Sequence, residues 1–270
     1  MTFLPSPLGF GVSGAHGTFL VPPRATRVLV EQAFTSGVRV FDTAPAYGAG
    51  EAERRLGQSL RHLPRSEVFI TTKAGLSSAG LVRRIRDFSP DGIERSVHAS
   101  LTRLGLEGVD GVILHGASPE ELTPALLARL SDLKAAGACR FLGIAGRAGE
   151  LDAALETGRF QILMAPVHPF VGEAALTRLK YARTNGVAVI GIEAAGAGPV
   201  PLRLPRKPSD LYSLARALRS PRNPAPRVAM PGALADSLKA GLADCVVMTT
   251  TRLDHLAANA AVLDADSVPD

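Results

Sequence analysis

The 270-residue chain contains no tryptophan, two cysteines and only 5% aromatic residues. Cys139 and Cys245 lack the CxxC or Cys/His spacing of a zinc site, so we predict neither a disulfide framework nor a metal centre. We interpret both as core thiols. No apolar run reaches the ~20 residues that cross a bilayer, and residues 1–10 lack the basic and then apolar order of a secretory signal. We therefore expect a cytoplasmic protein without a membrane partner.

A strong excess of one charge is also missing, since 30 Lys and Arg stand against 25 Asp and Glu for a formal net charge of +5. The arginines are scattered over predicted helices, without the interleaved aromatics or recognisable modules of nucleic-acid-binding proteins. We expect solvated helix faces and no nucleic-acid partner. The same positive charge would attract a phosphorylated cofactor.

Short apolar runs alternate with helical patterns along the chain. We predict strands at Leu8–Ser13, Val38–Asp42, Glu67–Lys73, Val109–His115, Arg140–Ala145, Gln161–Val167, Val187–Ile192 and Cys245–Thr249. Helices are predicted between them, including one opened by a capping box at Ser118–Glu121 and one near Asp210–Leu218. The surrounding segment, residues 194–231, is rich in Pro, Gly and Arg, and we interpret it as an extended connection over a barrel mouth.

Strand–helix units of this kind form parallel sheets with right-handed crossovers. With this length and no second core, we predict one domain over residues 1–270, with an α/β fold that closes into a (β/α)8 TIM barrel. A doubly wound open sheet is the alternative. The GxGxxG turn that would support a dinucleotide site there is absent.

Ionisable side chains end three consecutive strands of this predicted barrel. Asp42, Lys73 and His115 end the second, third and fourth strands, and Tyr47 follows in the loop after Asp42. Because the carboxyl ends of parallel barrel strands meet at one face, we expect all four around one mouth.

These residue types suit proton transfer at an alcohol or carbonyl oxygen while a hydride moves at carbon. The positive charge of Lys73 would favour the phenolate of Tyr47, so that the phenol can give or take a proton near neutral pH. Asp42 would hold and neutralise the lysine, and His115 would donate a hydrogen bond to the substrate oxygen. The alternative is a structural salt bridge beside an unrelated Tyr and His.

Three motifs, FDTAPAYGAGEAERRLGQSL, FITTKAG and VDGVILHG, in this order and spacing resemble the aldo-keto reductase family of (β/α)8 enzymes. DFSPDGIERSVHASLTRLGLEGVD is similar to its aldose and galactose dehydrogenase members. By this resemblance Asp42, Tyr47, Lys73 and His115 match the family's catalytic residues, with Tyr47 as the general acid/base. The resemblance implies an NAD(P)(H)-dependent oxidoreductase that acts on an aldehyde, a ketone or a sugar hemiacetal.

The final TTTRLDHLAANAAVL resembles the family's cofactor-phosphate segment. By this resemblance Asn259 matches an adenine-contacting Asn. Thr250, Thr251 and Arg252 would bind phosphate, with Arg252 or His255 as the partner of a 2′-phosphate. We favour NADP(H) and keep NAD(H) as the alternative. A helix N-terminus with an exposed arginine would explain the same residues without a ligand.

The nicotinamide end departs from the family, which clamps the carboxamide with Ser-Asn after strand five and Gln on strand six and stacks the ring on an aromatic after strand seven. The matching positions here are Ala145, Gly146, Met164 and Ile192. A carboxamide buried without partners costs roughly 1–3 kcal/mol, so we expect cofactor binding to be weaker, rearranged or supplied by other groups. His168 and Glu193 are nearby candidates.

This departure keeps two alternatives open. One is a nucleotide-binding barrel, a sensor or scaffold with little turnover, and the other is a cofactor-free sugar isomerase or lyase. The chain ends soon after the last predicted helix and the loop after His115 is short, which predicts an open cleft for a bulky or polar substrate. We expect a small carbonyl or sugar substrate and a monomer or small homo-oligomer.

Overall fold

The structure is a computed structural model that describes residues 3–79, 83–196, 205, 207–219 and 226–264. The strands in this part of the chain are β1 (Leu8–Gly11), β2 (Val40–Asp42), β3 (Phe69–Ala74), β4 (Leu76–Ala79), β5 (Arg83–Arg86), β6 (Val109–His115), β7 (Cys139–Ala145), β8 (Ile162–Pro166), β9 (Ala188–Ile192) and β10 (Cys245–Met248). Eight of them are parallel and close into a barrel in the order β1-β10-β9-β8-β7-β6-β3-β2. The predicted (β/α)8 barrel is confirmed, and its eight strands are those predicted.

Helices cover the outside of this barrel. They are α1 (Pro23–Thr35), α2 (Glu51–Leu60), α3 (Pro90–Leu104), α4 (Pro124–Ala135), α5 (Gly149–Glu156), α6 (Glu173–Thr184), α7 (Pro208–Arg219), α8 (Met230–Lys239) and α9 (Leu253–Ala260). None of the described helices is long and apolar enough to cross a bilayer. Within the predicted extended connection at 194–231, residues 197–204, 206 and 220–225 lie outside the described residues, and α7 lies in the described part.

The predicted start of α4 was wrong. The capping box at Ser118 and Glu121 closes a single 3-10 turn, Pro119–Glu121, and α4 begins afterwards with Thr123 as its own cap. The reason is Pro124, because the residue before a proline is disfavoured in the helical region. Thr123 is accordingly extended, with ψ 154°, and the helix cannot run through it.

The antiparallel hairpin formed by β4 and β5 was not predicted. Its strands have four residues each and too little alternation to be recognised from the sequence. Ser78 in the hairpin donates a hydrogen bond to the carbonyl of Ala46 (2.8 Å), and Arg86 donates to the carbonyl of Gly116 (2.8 Å). The hairpin is therefore tied to the loops that follow β2 and β6.

Alternation along the strands decides which side chains face the barrel interior. Val40, Phe69 and Ile113 belong to one buried cluster, together with side chains of β7 to β10. Successive side chains of a strand point to opposite faces, so residues at even spacing share a face. Asp42 follows Val40 by two residues, Lys73 follows Phe69 by four, and His115 follows Ile113 by two. All three polar side chains thus point inward at the carboxyl end of the barrel, which we call the mouth.

A second polar network holds β3 from the helical side. Glu53 on α2 is fully buried and accepts hydrogen bonds from the hydroxyl of Thr72 (2.6 Å) and from Nε of Arg103 on α3 (2.5 Å). The backbones of α2 and α3 approach closely at Gly57, where an added Cβ would lie 2.2 Å from the carbonyl oxygen of Leu104. The network therefore fixes two helices and a barrel strand with one carboxylate.

We predict that Arg103→Ala lowers the free energy of unfolding by about 3 kcal/mol, because it leaves the buried carboxylate of Glu53 without its charged partner. Urea unfolding at neutral pH measures this loss. Arg95→Ala is the matched control on the same helix, since Arg95 pairs with Asp87 on the surface and should contribute less than about 1 kcal/mol. Equal losses in the two variants would contradict the role given to Glu53.

Candidate active site

A buried ion pair lies at the centre of the mouth. Nζ of Lys73 donates to Oδ2 of Asp42 (2.5 Å) and to the carbonyl of Thr43 (3.1 Å), and the Thr71 hydroxyl donates to Oδ1 of Asp42 (2.8 Å). Burial is the largest influence on the lysine and acts to lower its pKa, but the charge of Asp42 and the phenol of Tyr47 outweigh it, so the pKa of Lys73 is raised. The lysine is therefore a fixed positive charge.

Tyr47 lies beside this charge. The ammonium of Lys73 is 5.2 Å from the centre of the tyrosine ring. The loop that carries the tyrosine packs directly on Gly17, because at Gly48, with φ +63°, an added Cβ would lie 1.9 Å from the carbonyl oxygen of Gly17. Glycine is required at this point for both conformation and space. The tight loop keeps the phenol at the mouth.

His115 completes the group. Its ring meets the ring of Tyr47 edge to face, with centroids 6.2 Å apart, and Nδ1 is buried without a hydrogen-bond partner among the described residues. Burial above all, and then the charges of Lys73, Arg84 and Arg147, lower the pKa of His115 to about 3. The imidazole is therefore neutral near pH 7 and carries one N–H to donate. The structure brings all four residues predicted for the mouth together.

The predicted cofactor-phosphate segment is only partly assembled. Thr251 and Arg252 line a cavity of about 440 Å³ between α1 and the start of α9, and two further cations, Arg24 and Lys207, line it with them. Arg252 is held by two hydrogen bonds to Asp254 (2.6 and 3.1 Å). The rest of the wall consists of Asp254 itself and the apolar side chains of Pro22, Ala25, Val28, Leu29 and Leu253.

The other predicted residues of this segment are placed differently. Thr250 accepts a hydrogen bond from the backbone N–H of Arg252 (3.2 Å) and thereby shapes the turn. His255 is exposed on α9 and Asn259 is buried, and neither lines the cavity. The structure therefore assembles Thr251 and Arg252 with cations that the sequence reasoning missed.

His16 was also missed. Its Nε2 bonds to the carbonyl of Thr250 (2.9 Å), which can only accept, so Nε2 carries the proton and Nδ1 accepts from the Thr26 hydroxyl (3.0 Å). Burial lowers the pKa of His16 to about 4, although its bond to Thr250 acts in the opposite direction. The sequence feature that could have identified His16 is its place as a polar residue in the loop after the first barrel strand.

The positions expected to clamp a carboxamide are apolar here. Ala145 lies beside His115 on one side and Met164 on the other, and the backbone N–H of Gly146 already donates to the carbonyl of Met164 (3.1 Å). Ile192 ends β9. Within the described ranges, no group of three His, Cys, Asp or Glu side chains is placed to hold a metal ion.

This geometry agrees with what comparison with known proteins finds. The profile of the aldo/keto reductase family matches residues 7–208, and the chain belongs to this family. It is 33% identical over 193 residues to D-threo-aldose 1-dehydrogenase of a Pseudomonas species, covering 59% of this chain and 58% of that one. It is 30% identical over 204 residues to L-galactose dehydrogenase of Arabidopsis thaliana, covering 72% of this chain and 62% of that one.

The chain thus spans less than two thirds of the length of these relatives. Among solved structures, the barrel is similar to a putative aldo-keto reductase of Pseudomonas aeruginosa, with a TM-score of 0.74 at 24% identity over 95% of this chain and 88% of that one. The holo form of an aldo-keto reductase of Bacillus halodurans gives a TM-score of 0.75 at 21% identity, over 98% of this chain and 88% of that one. These likenesses support the fold.

The two histidines predict a loss of stability in acid. The unfolded chain protonates each below a pKa of about 6.5, whereas the folded chain keeps His16 and His115 neutral down to about 4 and about 3. We therefore expect the free energy of unfolding to fall as the pH drops below about 6.5, by up to about 1.4 kcal/mol per pH unit for each histidine. Urea unfolding at a series of pH values measures the slope.

His115→Asn should make this slope shallower by up to about 1.4 kcal/mol per pH unit, the contribution of one proton, because the asparagine does not titrate. His62→Asn is the control for removing a histidine, since the His62 side chain is exposed just after α2. A slope in His115→Asn as steep as that of the unsubstituted protein would show that His115 titrates normally when folded.

Proposed function

We propose that this protein is an NAD(P)(H)-dependent oxidoreductase that interconverts a carbonyl group and an alcohol, with Asp42, Tyr47, Lys73 and His115 as its catalytic residues. The observation that carries this proposal is the buried ammonium of Lys73, fixed on Asp42 and adjacent to the half-buried phenol of Tyr47 at the mouth. A bound nicotinamide would supply or accept the hydride.

Each side chain has a distinct part in the proton chemistry. Tyr47 donates its proton to the oxygen as a carbonyl is reduced, and takes it back in the reverse direction. Lys73 stabilises the phenolate left behind, because opposite charges favour the ionised form. Asp42 keeps the ammonium in place, and both of its oxygens are occupied by hydrogen bonds from β3.

His115 orients the substrate. A neutral imidazole can donate one hydrogen bond without adding charge, and the low pKa of His115 keeps it neutral across the physiological range. Its ring meets the ring of Tyr47 edge to face, with centroids 6.2 Å apart, and we infer that the imidazole and the phenol reach the same substrate oxygen. Two preorganised donors on that oxygen stabilise the negative charge that develops as the carbonyl is reduced.

The names of the relatives support the substrate class. Besides the aldose and galactose dehydrogenases, NADH-specific methylglyoxal reductase of Escherichia coli is 32% identical over 171 residues. We infer a small aldehyde, a ketone or a sugar hemiacetal as the substrate. A cytoplasmic location and a monomer or small homo-oligomer stay predictions from the sequence.

The cavity beside α9 fits the phosphate end of the cofactor. Three cations, Arg24, Lys207 and Arg252, line it against one carboxylate, Asp254, and arginines bind phosphate through paired N–H donors. Arg252 is already ordered by Asp254, so little side-chain freedom is lost when an anion binds. These cations support NADP(H) over NAD(H).

We expect Tyr47→Phe to lower kcat/KM by about 10²–10⁴-fold, because it keeps the ring and removes the proton donor. The dissociation constant of NADPH should change by less than about twofold, since the phenol acts in the transition state. NADPH absorbance with methylglyoxal and a panel of aldoses measures turnover, and fluorescence titration measures binding.

Tyr181→Phe is the control, because Tyr181 is exposed on the outside of α6. Full turnover in Tyr47→Phe would rule out the acid/base role. Tight NADPH binding with no turnover of any carbonyl compound by the unsubstituted protein would instead favour the nucleotide-binding barrel.

We expect NADPH to bind more tightly than NADH, and Arg252→Ala to remove most of this preference. Loss of a charge-assisted hydrogen bond to the 2′-phosphate should weaken the binding of NADPH about tenfold and leave the binding of NADH nearly unchanged. Isothermal titration with both nucleotides measures the effect. Arg54→Ala, in a surface pair with Glu51, is the control. An equal loss of affinity for NADPH and NADH would show that Arg252 does not contact the 2′-phosphate.

A further inference from the structure

An ion pair crosses the mouth on the side away from Lys73. Arg147 follows β7, Glu193 follows β9, and the guanidinium of Arg147 donates to Oε1 of Glu193. Strand β8 lies between β7 and β9 in the barrel, so the pair passes over the end of β8 and its inward side chain Met164. Arg147 lies two residues after Ala145 and Glu193 directly follows Ile192, so both charges lie beside the apolar wall formed by Ala145, Met164 and Ile192.

Both members of the pair are held in place by the backbone around them. Glu193 has φ +56°, in the left-handed region, and its carbonyl accepts a hydrogen bond from the N–H of Gly196 (2.7 Å). Such a conformation is strained in a residue other than glycine and is concentrated at functional sites. The N–H of Arg147 donates to Oε1 of Glu150 (2.7 Å), which fixes the other end.

Chemistry places a carboxamide at this same wall. The hydride leaves a ring carbon of nicotinamide that is bonded to the carbon bearing the carboxamide. The substrate carbon that receives the hydride is bonded to the oxygen reached by Tyr47 and His115. The carboxamide must therefore lie within the mouth, a short distance from His115. Ala145, the strand neighbour of His115, begins the segment that leads to Arg147.

The ion pair matches the hydrogen-bonding groups of a carboxamide. A primary carboxamide presents one carbonyl acceptor and one NH₂ donor. A guanidinium has five N–H donors, and Oε2 of Glu193 accepts no hydrogen bond from the described residues. The side chains of Ala145, Met164 and Ile192 offer neither function, so the pair is the polar partner within reach.

We propose that Arg147 and Glu193 together hold the nicotinamide carboxamide, with the guanidinium donating to its carbonyl and the carboxylate accepting from its NH₂. This inference rests on the proposed function. It replaces the carboxamide partners that this chain lacks with an ion pair formed between two strand ends.

Three ligands separate the contributions in isothermal titration. NADP⁺ has the carboxamide, its 3-acetylpyridine analogue keeps the carbonyl and lacks the NH₂, and 2′,5′-ADP lacks the nicotinamide altogether. Glu193→Ala should weaken NADP⁺ about tenfold and leave the acetylpyridine analogue unchanged. Arg147→Met should weaken both pyridine nucleotides about tenfold. Neither variant should change the affinity for 2′,5′-ADP.

Arg95→Met and Asp87→Ala are the matched controls, because they break a surface ion pair at similar exposure elsewhere. Unchanged or tighter NADP⁺ binding in either mouth variant overturns the inference and leaves the proposed function standing. Equal weakening of NADP⁺ and its acetylpyridine analogue by Glu193→Ala overturns the role of the carboxylate. If neither NADP⁺ nor NAD⁺ binds the unsubstituted protein, the proposed function fails, and the inference fails with it.

Discussion

The buried contact between Lys73 and Asp42 is the interaction on which the mouth of this barrel depends. Either charge alone in this place would be strongly destabilising, because its hydration is lost and nothing replaces it. Together, and with hydrogen bonds from Thr71 and to the Thr43 carbonyl, both charges are satisfied. The pair also fixes the register between β2 and β3, since a slip by one residue would turn one of the charges out of the barrel.

The strand that carries the lysine is held from both of its faces. Lys73 points into the barrel towards Asp42, whereas its neighbour Thr72 points outward and donates to the buried carboxylate of Glu53. Two polar anchors on adjacent residues leave β3 little freedom to shift. Such support keeps catalytic groups within the narrow limits that proton transfer needs. The tyrosine loop, in contrast, is positioned by close packing of glycines.

Under the proposed function, the chain keeps the acid/base group of its family and changes the residues around the nicotinamide. These two parts obey different physical requirements. The proton chemistry needs a particular set of ionisable groups, and replacing one removes the reaction. Holding a carboxamide needs a donor and an acceptor in reach, and several residue pairs can provide them. Arg147 and Glu193 provide both at the mouth, where the side chains of Ala145 and Met164 provide neither.

Much of this protein was determined by its sequence alone. Short apolar runs predicted the strands and a period of 3.6 in the apolar residues predicted the helices, and the polar residues that end apolar runs predicted Asp42, Lys73 and His115. The β4–β5 hairpin, the contact of His16 with Thr250, and the pair of Arg147 with Glu193 were decided by the tertiary structure. His16 and Thr250 lie 234 residues apart and meet because β1 pairs with β10, and Arg147 and Glu193 lie 46 residues apart on either side of β8. The strands of the hairpin are neighbours in the sequence, but four residues each are too few to show a pattern. The pattern of residues within a short segment does not predict such contacts, because the same segment could pack against any neighbour.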